Sequence, residues 1–299
     1  METILKTTNL TKKFGSKIAV NKVNMTIKRG EIYGFIGKNG AGKTTLMKMV
    51  LGLTYKTSGE IELFGEKNIN KVGLKVGSLI EAPGLYRNAT AHENMYRFSL
   101  IFGGKDSIDE LLDLVGLTNV GKKKVKDFSL GMKQRLGIAI SLLGNPELLI
   151  LDEPINGLDP AGIKEVRDII LKLNKEKGIT FLISSHLLDE LSRIVTKYGI
   201  INDGVLVEEV DSCELINRCK NKLVIETNDI NKTEEVLKEI INEEDMVINE
   251  NELYITSHVE EGEKINKFLC EHNIYASSIY ASQDSLEDYF IRRIGGYNE

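Results

Sequence analysis

The stretch IYGFIGKNGAGKTTLMKMV (32–50) constrains the fold more than any other. Its five opening apolar residues read as a short strand buried on both faces, and LMKMVLGL reads as a helix. Between them GKNGAGKTT (37–45) has the spacing G-x-x-x-x-G-K-[ST], in the strand–loop–helix context that such a loop requires. Gly37, Gly40 and Gly42 allow a tight turn that aims backbone N–H groups inward, those of Lys38, Asn39 and Ala41 among them. The helix N-terminus adds partial positive charge. Lys43 is placed to reach the β- and γ-phosphates of a nucleoside triphosphate, Thr44 to hold Mg²⁺ through its hydroxyl, and Thr45 follows them.

Two further stretches suit a hydrolytic site. LLILDEP (148–154) is an unbroken apolar strand ending in adjacent acids. Such a strand belongs in the middle of a parallel sheet covered by helices. Asp152 is then placed to hold Mg²⁺, directly or through water, and Glu153 to polarise an attacking water as general base. ITFLISSH (179–186) is another buried strand, ending at His186, which either orients that water or fills a structural role. Ahead of the phosphate loop, LTKKFG (10–15) offers Phe14 as a base-stacking aromatic or as an ordinary core residue. These elements predict an α/β chain, a P-loop NTPase with a mostly parallel core sheet.

The order of motifs carries a resemblance. FSLGMKQRLGIAISLLGNPELLILDEPINGLDP (128–160) resembles the nucleotide-binding subunit of ABC transporters. Ser129-Leu130-Gly131-Met132-Lys133 stands where that family has its signature loop, usually Ser-Gly-Gly-Gln. The second glycine and the glutamine are absent, while Ser129 and Gly131 are kept. Ile155-Asn156-Gly157-Leu158-Asp159 matches the D-loop, His186 the switch histidine, and Phe14 the aromatic that stacks on the base. The resemblance covers about residues 3–210 and implies an ATP- and Mg²⁺-dependent ATPase domain (1–210). Two copies would sandwich ATP, Ser129 and Gly131 of one copy closing on the nucleotide of the other. A helical subdomain at about 85–145 would receive a coupling helix of a separate integral membrane permease, with Leu85 and Tyr86 as contact candidates. The chain would then sit at the cytoplasmic face of the cell membrane, held there by the permease.

VGSLIEAPGLY (76–86) adds a puzzle, because the strand runs into an acid, Glu81, at the end where α/β proteins bind ligands. The resemblance puts Glu81 where most ABC ATPases have a glutamine that touches Mg²⁺ and the attacking water. One unit charge pair at ~4 Å and an effective dielectric of ~20 is worth about 4 kcal/mol. Attraction to Mg²⁺ therefore rivals repulsion from the γ-phosphate, and Glu81 is expected to be a metal and coupling residue, a second catalytic candidate beside Glu153. The run VGSLIEAPGLYRNATAHENM resembles bacterial subunits of lantibiotic immunity and bacitracin resistance, which implies export of, or protection against, such peptides. The alternative is a soluble, non-transport ABC ATPase acting on a macromolecular partner.

Net charge is −5 over 299 residues, so no basic field argues for nucleic acid. Cys213, Cys219 and Cys270 are odd in number and lack metal-type spacing, as expected of reduced structural thiols. Met1 is followed by a polar, strand-like opening rather than a secretory signal. The longest apolar candidate (137–151) is broken by Asn145-Pro146-Glu147, so the chain is not expected to cross a membrane by itself. Beyond Asn202-Asp203-Gly204, a hairpin-type turn, the pattern reads βαββαβ plus a helix. Residues 211–299 are thus expected to form a small ferredoxin-like α+β domain.

Overall fold

The computed structural model describes residues 2–104, 107–186, 188–219, 221–249, 252–283 and 285–294. In chain order the first elements are β1 (Thr3–Phe14), β2 (Lys17–Lys28), β3 (Ile32–Ile36), α1 (Lys43–Val50), β4 (Ser58–Leu63) and β5 (Val76–Leu79). Then come α2 (Ala91–Ser99), α3 (Ile108–Leu114), α4 (Leu130–Ser141), β6 (Leu148–Asp152) and α5 (Pro160–Lys177). Next are β7 (Thr180–Ser185), α6 (Leu188–Ser192), β8 (Lys197–Asn202) and β9 (Val205–Asp211). The remainder comprises α7 (Ser212–Arg218), β10 (Asn221–Thr227), α8 (Ile230–Leu237), β11 (Met246–Asn249), β12 (Glu252–Ile255), α9 (Gly262–Glu271), β13 (Ala276–Gln283) and α10 (Leu286–Arg293). The chain divides into two units between Ser212 and Cys213, and each has its own core.

Every residue of β3, β6 and β7 is buried, which only a strand covered on both faces achieves. They lie side by side in a six-stranded sheet of order β5-β6-β7-β3-β8-β9. Neighbours from β5 to β8 pair in parallel, and β9 closes one edge antiparallel. The β8–β9 hairpin turns at Asp203-Gly204, both with positive φ (45° and 78°), as a two-residue hairpin loop prefers. A second sheet, β2-β1-β4, is wholly antiparallel, and the strand-like opening after Met1 is its central strand β1. α1 joins the two sheets. Its Leu46, Met47, Met49 and Val50 pack in one core with Val20, Met25, Phe35, Ile150 and Leu182. Burying each such side chain is worth about 1.5–3 kcal/mol.

Between β5 and β6 the chain is helical. Thr90 and Glu93 form a reciprocal capping box that starts α2. Asn94, fully buried, holds the loop before it: its Oδ1 accepts from Tyr86 N–H (2.8 Å), and its Nδ2 donates to the carbonyls of Tyr86 (3.2 Å) and Thr90 (2.8 Å).

In the second unit the chain order β10-α8-β11-β12-α9-β13 gives an antiparallel sheet of order β11-β12-β10-β13. That is a split β-α-β arrangement with its first and third strands central. Leu223, Ile225, Leu253 and Ile255 face Leu237, Ile265 and Leu269 in one core. Residues 250 and 251 of the expected β11–β12 turn lie outside the described residues.

Candidate active site

The sheet order brings the motifs together. β7 lies between β3 and β6, with Ile36 opposite Ser185 and Asp152 opposite Ser184. The carboxyl ends of the three strands are therefore level, the edge where ligands bind in such sheets. After β3 the loop wraps a cavity of about 350 Å³ lined by Phe14, Lys17, Ala19, Asn39, Gly40, Gly42, Lys43, Thr44, Thr45 and Glu153.

Gly42 closes the loop at φ 109°, ψ 0°, and a Cβ there would stand 2.4 Å from the Ala19 carbonyl oxygen. Both the dihedral and the space require glycine. Ala41 is buried; its N–H donates to the Lys38 carbonyl (3.1 Å) and its own carbonyl accepts from Gly204 (2.9 Å). At Gly37, a Cβ would lie 2.5 Å from the Ile201 carbonyl oxygen, so the loop rests directly on β8. Lys43 is 5% exposed, and its ammonium donates to the loop's own carbonyls at Gly37 (2.5 Å) and Lys38 (3.3 Å).

Opposite the loop, Thr44 Oγ1 donates to Asp152 Oδ2 at 2.7 Å. Ser184 Oγ donates to Asp152 Oδ1 (2.5 Å) and accepts from the Glu153 N–H (2.9 Å). Glu153 has φ 50°, the left-handed region that non-glycine residues rarely occupy. That turn carries its side chain back toward the loop. Glu153 Oε2 meets His186 Nδ1 at 2.8 Å, while Oε1 is buried without a hydrogen bond and lies 3.5 Å from Lys43 Nζ. An orphaned carboxylate oxygen, buried at the mouth of a phosphate loop, is a site for a proton or a water.

Phe14 ends β1 at the cavity rim, 53% exposed, with Lys12 Nζ 4.6 Å from its ring centre. Ser129 caps α4, its Oγ accepting from Met132 N–H (3.2 Å), and leaves Leu130 exposed. Gly131 sits against Leu158, so this turn packs on the Ile155–Asp159 stretch. Asp159 caps α5, accepting from Gly162 N–H (3.2 Å). Ser129, Gly131 and Asp159 do not line the cavity. Neither does Glu81. β5 stops at Leu79, Glu81 turns into the left-handed region (φ 60°), and its Oε1 pairs with Lys48 Nζ at 2.6 Å.

Ser184, Lys17 and Lys48 also belong to the site's surroundings, although no motif includes them. A Ser-Ser pair ending a buried strand beside LLILDE was a usable signal for Ser184. Lys48, four residues after Thr44, shares its side of α1.

A glycine-rich loop feeding a buried helix, beside strand ends that deliver two acids and a histidine, defines a P-loop nucleoside-triphosphatase site. Comparisons narrow the class. The sequence model of the family described as "ABC transporter" matches residues 20–156. The "Bacitracin transport ATP-binding protein BcrA" of Bacillus licheniformis is 48% identical over 302 residues, covering 99% of each chain. The "Lantibiotic transport ATP-binding protein SrtF" of Streptococcus pyogenes is 47% identical over 225 residues, covering 74% of this chain and 98% of its own. Among solved structures, a dimeric post-hydrolysis state of the ATP-binding cassette MJ0796 bound to ADP and Pi superposes with TM-score 0.63 at 26% identity, covering 70% of this chain and 99% of that one. The chain belongs to the ABC transporter family, as one of its ATP-binding, ATP-hydrolysing subunits.

Proposed function

We propose that this subunit hydrolyses ATP to power a separate membrane-spanning permease that exports, or protects the cell against, bacitracin- and lantibiotic-type peptides. The observation that carries the reading is end-to-end likeness, 48% identity over 99% of both chains, to a protein named for bacitracin transport. No helix among the described residues is long and apolar enough to cross a membrane; the proposed path for the peptide lies in the permease. The pinned loop at Leu85–Tyr86 and the helices α2–α4 are the proposed docking face for that permease, and the proposed location is the cytoplasmic surface of the membrane.

The donor set suits Mg²⁺. Thr44 and Asp152 present a hydroxyl and a carboxylate oxygen 2.7 Å apart, hard ligands that leave room for phosphate oxygens. Held by these two residues, Mg²⁺ would supply charge neutralisation along the triphosphate. Lys43 exchanges its loop carbonyls for phosphate oxygens, and Phe14 stacks on the base. Glu153 accepts the proton of the attacking water on Oε1, while His186, with Nδ1 protonated, fixes Oε2. Glu81 joins them as a metal and coupling residue. Ser129, Gly131 and Asp159 would serve the partner's site in an ATP-bound homodimer, a reading supported by the likeness to a dimeric cassette bound to ADP and Pi.

Residues 1–210 are read as the ATPase domain, and 211–299 as an accessory domain for dimer support or regulation. The test is to express the subunit with its permease in a sensitive host and measure inhibitory concentrations of bacitracin and a lantibiotic. Protection by the wild type that disappears with Glu153→Gln is expected. Absence of protection, together with absence of a hydrophobic partner on purification from native membranes, would overturn the reading in favour of a soluble ATPase.

A further inference from the structure

Lys48 has no place in the mechanism above, yet it holds a residue that does. We infer that Lys48 is the positioning residue for Glu81, turning a full carboxylate into a charge-compensated, single-acceptor group beside the triphosphate; this rests on reading Glu81 as a metal and coupling residue. Three observations converge. Lys48 lies one helical turn after Thr44, on the same side of α1, so its ammonium projects along the flank that carries the metal-binding hydroxyl. The left-handed turn at Glu81 (φ 60°) directs the chain back toward α1 just past β5. The contact itself, Nζ to Oε1 at 2.6 Å, uses one carboxylate oxygen and leaves Oε2 to accept from elsewhere.

The physical consequence is specific. A bare carboxylate facing a triphosphate repels it, and a cation in contact with that carboxylate cancels most of the repulsion beyond the pair itself. The pair then resembles a neutral amide, with one free acceptor oxygen and little net charge. It is also easily broken. Side-chain exposures of 34% for Lys48 and 67% for Glu81 put it among the solvent-screened pairs that contribute little to folding. Such a pair suits a carboxylate that must be presented and released, and it does little to hold the fold.

The test is a double-mutant cycle on the full chain: wild type, Lys48→Met, Glu81→Gln and both together. The primary readout is the Mg²⁺ concentration giving half-maximal binding of a fluorescent ATP analogue, which needs no turnover; kcat is measured beside it. Lys48→Met is expected to lower that Mg²⁺ midpoint by about threefold or more, the scale of a partly exposed ion pair, because it frees the carboxylate for the cation. In the Glu81→Gln background the same change is expected to do much less, and Lys48→Arg is expected to restore the wild-type midpoint. Equal shifts in both backgrounds would overturn the role of Lys48 while leaving that of Glu81 intact. A Glu81→Gln midpoint and kcat identical to wild type would overturn the Glu81 reading itself. Lys48→Gln replaces the methionine variant if its thermal unfolding midpoint shows that it is poorly folded.

Discussion

His186 Nδ1 and Glu153 Oε2 meet at 2.8 Å across the ends of two parallel strands that the sheet holds level. One carboxylate oxygen is thereby fixed, and the other is left buried beside Lys43. Amide replacement separates binding from chemistry here, because glutamine keeps the shape and cannot take the proton. Glu153→Gln is expected to lower kcat by about 10²–10⁴, the usual worth of a general base, with ATP affinity retained. Single-turnover phosphate release measures the first, and equilibrium nucleotide binding the second. The same variant is expected to accumulate as a dimer at saturating ATP on size-exclusion chromatography. A variant that stayed monomeric would contradict the shared-site arrangement.

Ser184 has the next largest consequence. Its hydroxyl, fully buried, both donates to Asp152 and accepts the Glu153 N–H, so it sets the two acids relative to each other. Ser184→Ala leaves a buried carboxylate oxygen and a backbone N–H without that partner, at a cost of about 1–3 kcal/mol. For a unit this size that is a fall of several degrees in thermal midpoint. A higher Mg²⁺ requirement for turnover is expected as well, since Asp152 loses its anchor. A Mg²⁺ dependence unchanged from wild type would reduce Ser184 to a packing role.

What sequence alone made legible follows from where each interaction lies along the chain. Lys43, Thr44, Asp152 and Glu153 sit in contiguous motifs, because a phosphate loop and an acid-ended strand are local devices. The antiparallel sheet β2-β1-β4 and the Ser184–Asp152 contact depend on which strands become neighbours, and no local pattern declares that. Glu81 shows both sides. The acid at the strand end was plain, but its partner Lys48, 33 residues away, appears only once the left-handed turn has set the direction of the side chain.

Tyr33 ties stability to alkaline pH. Its phenol is buried in β3 and donates to Glu209 Oε1 at 2.9 Å. Burial first, and the Glu209 charge second, push its pKa well above the ordinary value of 10.0. A raised pKa favours the protonated form in the folded state. The contribution to stability is therefore complete below pH 10 and is lost as pH rises beyond it toward the folded value. Tyr33→Phe is expected to cost about 1 kcal/mol at neutral pH through the lost hydrogen bond. It is also expected to flatten the fall in stability above pH 10. Urea midpoints at pH 7, 9 and 11 for both proteins check this; parallel alkaline limbs would show that another group sets that limb.

The last prediction concerns the division near Ser212. The family match at 20–156 lies wholly in the first unit, as does every residue assigned to ATP. The lantibiotic-transport relative is matched over 98% of its own length by 74% of this chain, so that relative is the shorter chain. The second unit carries a separate core, in which Leu223, Ile225, Leu253 and Ile255 pack on Leu237, Ile265 and Leu269. Two cores of this kind can unfold independently. A chain ending at Ser212 is therefore expected to fold, to bind ATP within about twofold of the full protein and to keep a cooperative thermal transition; twofold is only about 0.4 kcal/mol. Any loss should appear instead in ATP-driven dimerisation or in permease-stimulated turnover, the steps proposed for the accessory domain. Calorimetry of the two chains, with nucleotide binding measured alongside, decides the matter. A truncated chain that failed to fold would show that the ATPase core needs residues beyond Ser212, and the proposed division would have to be withdrawn.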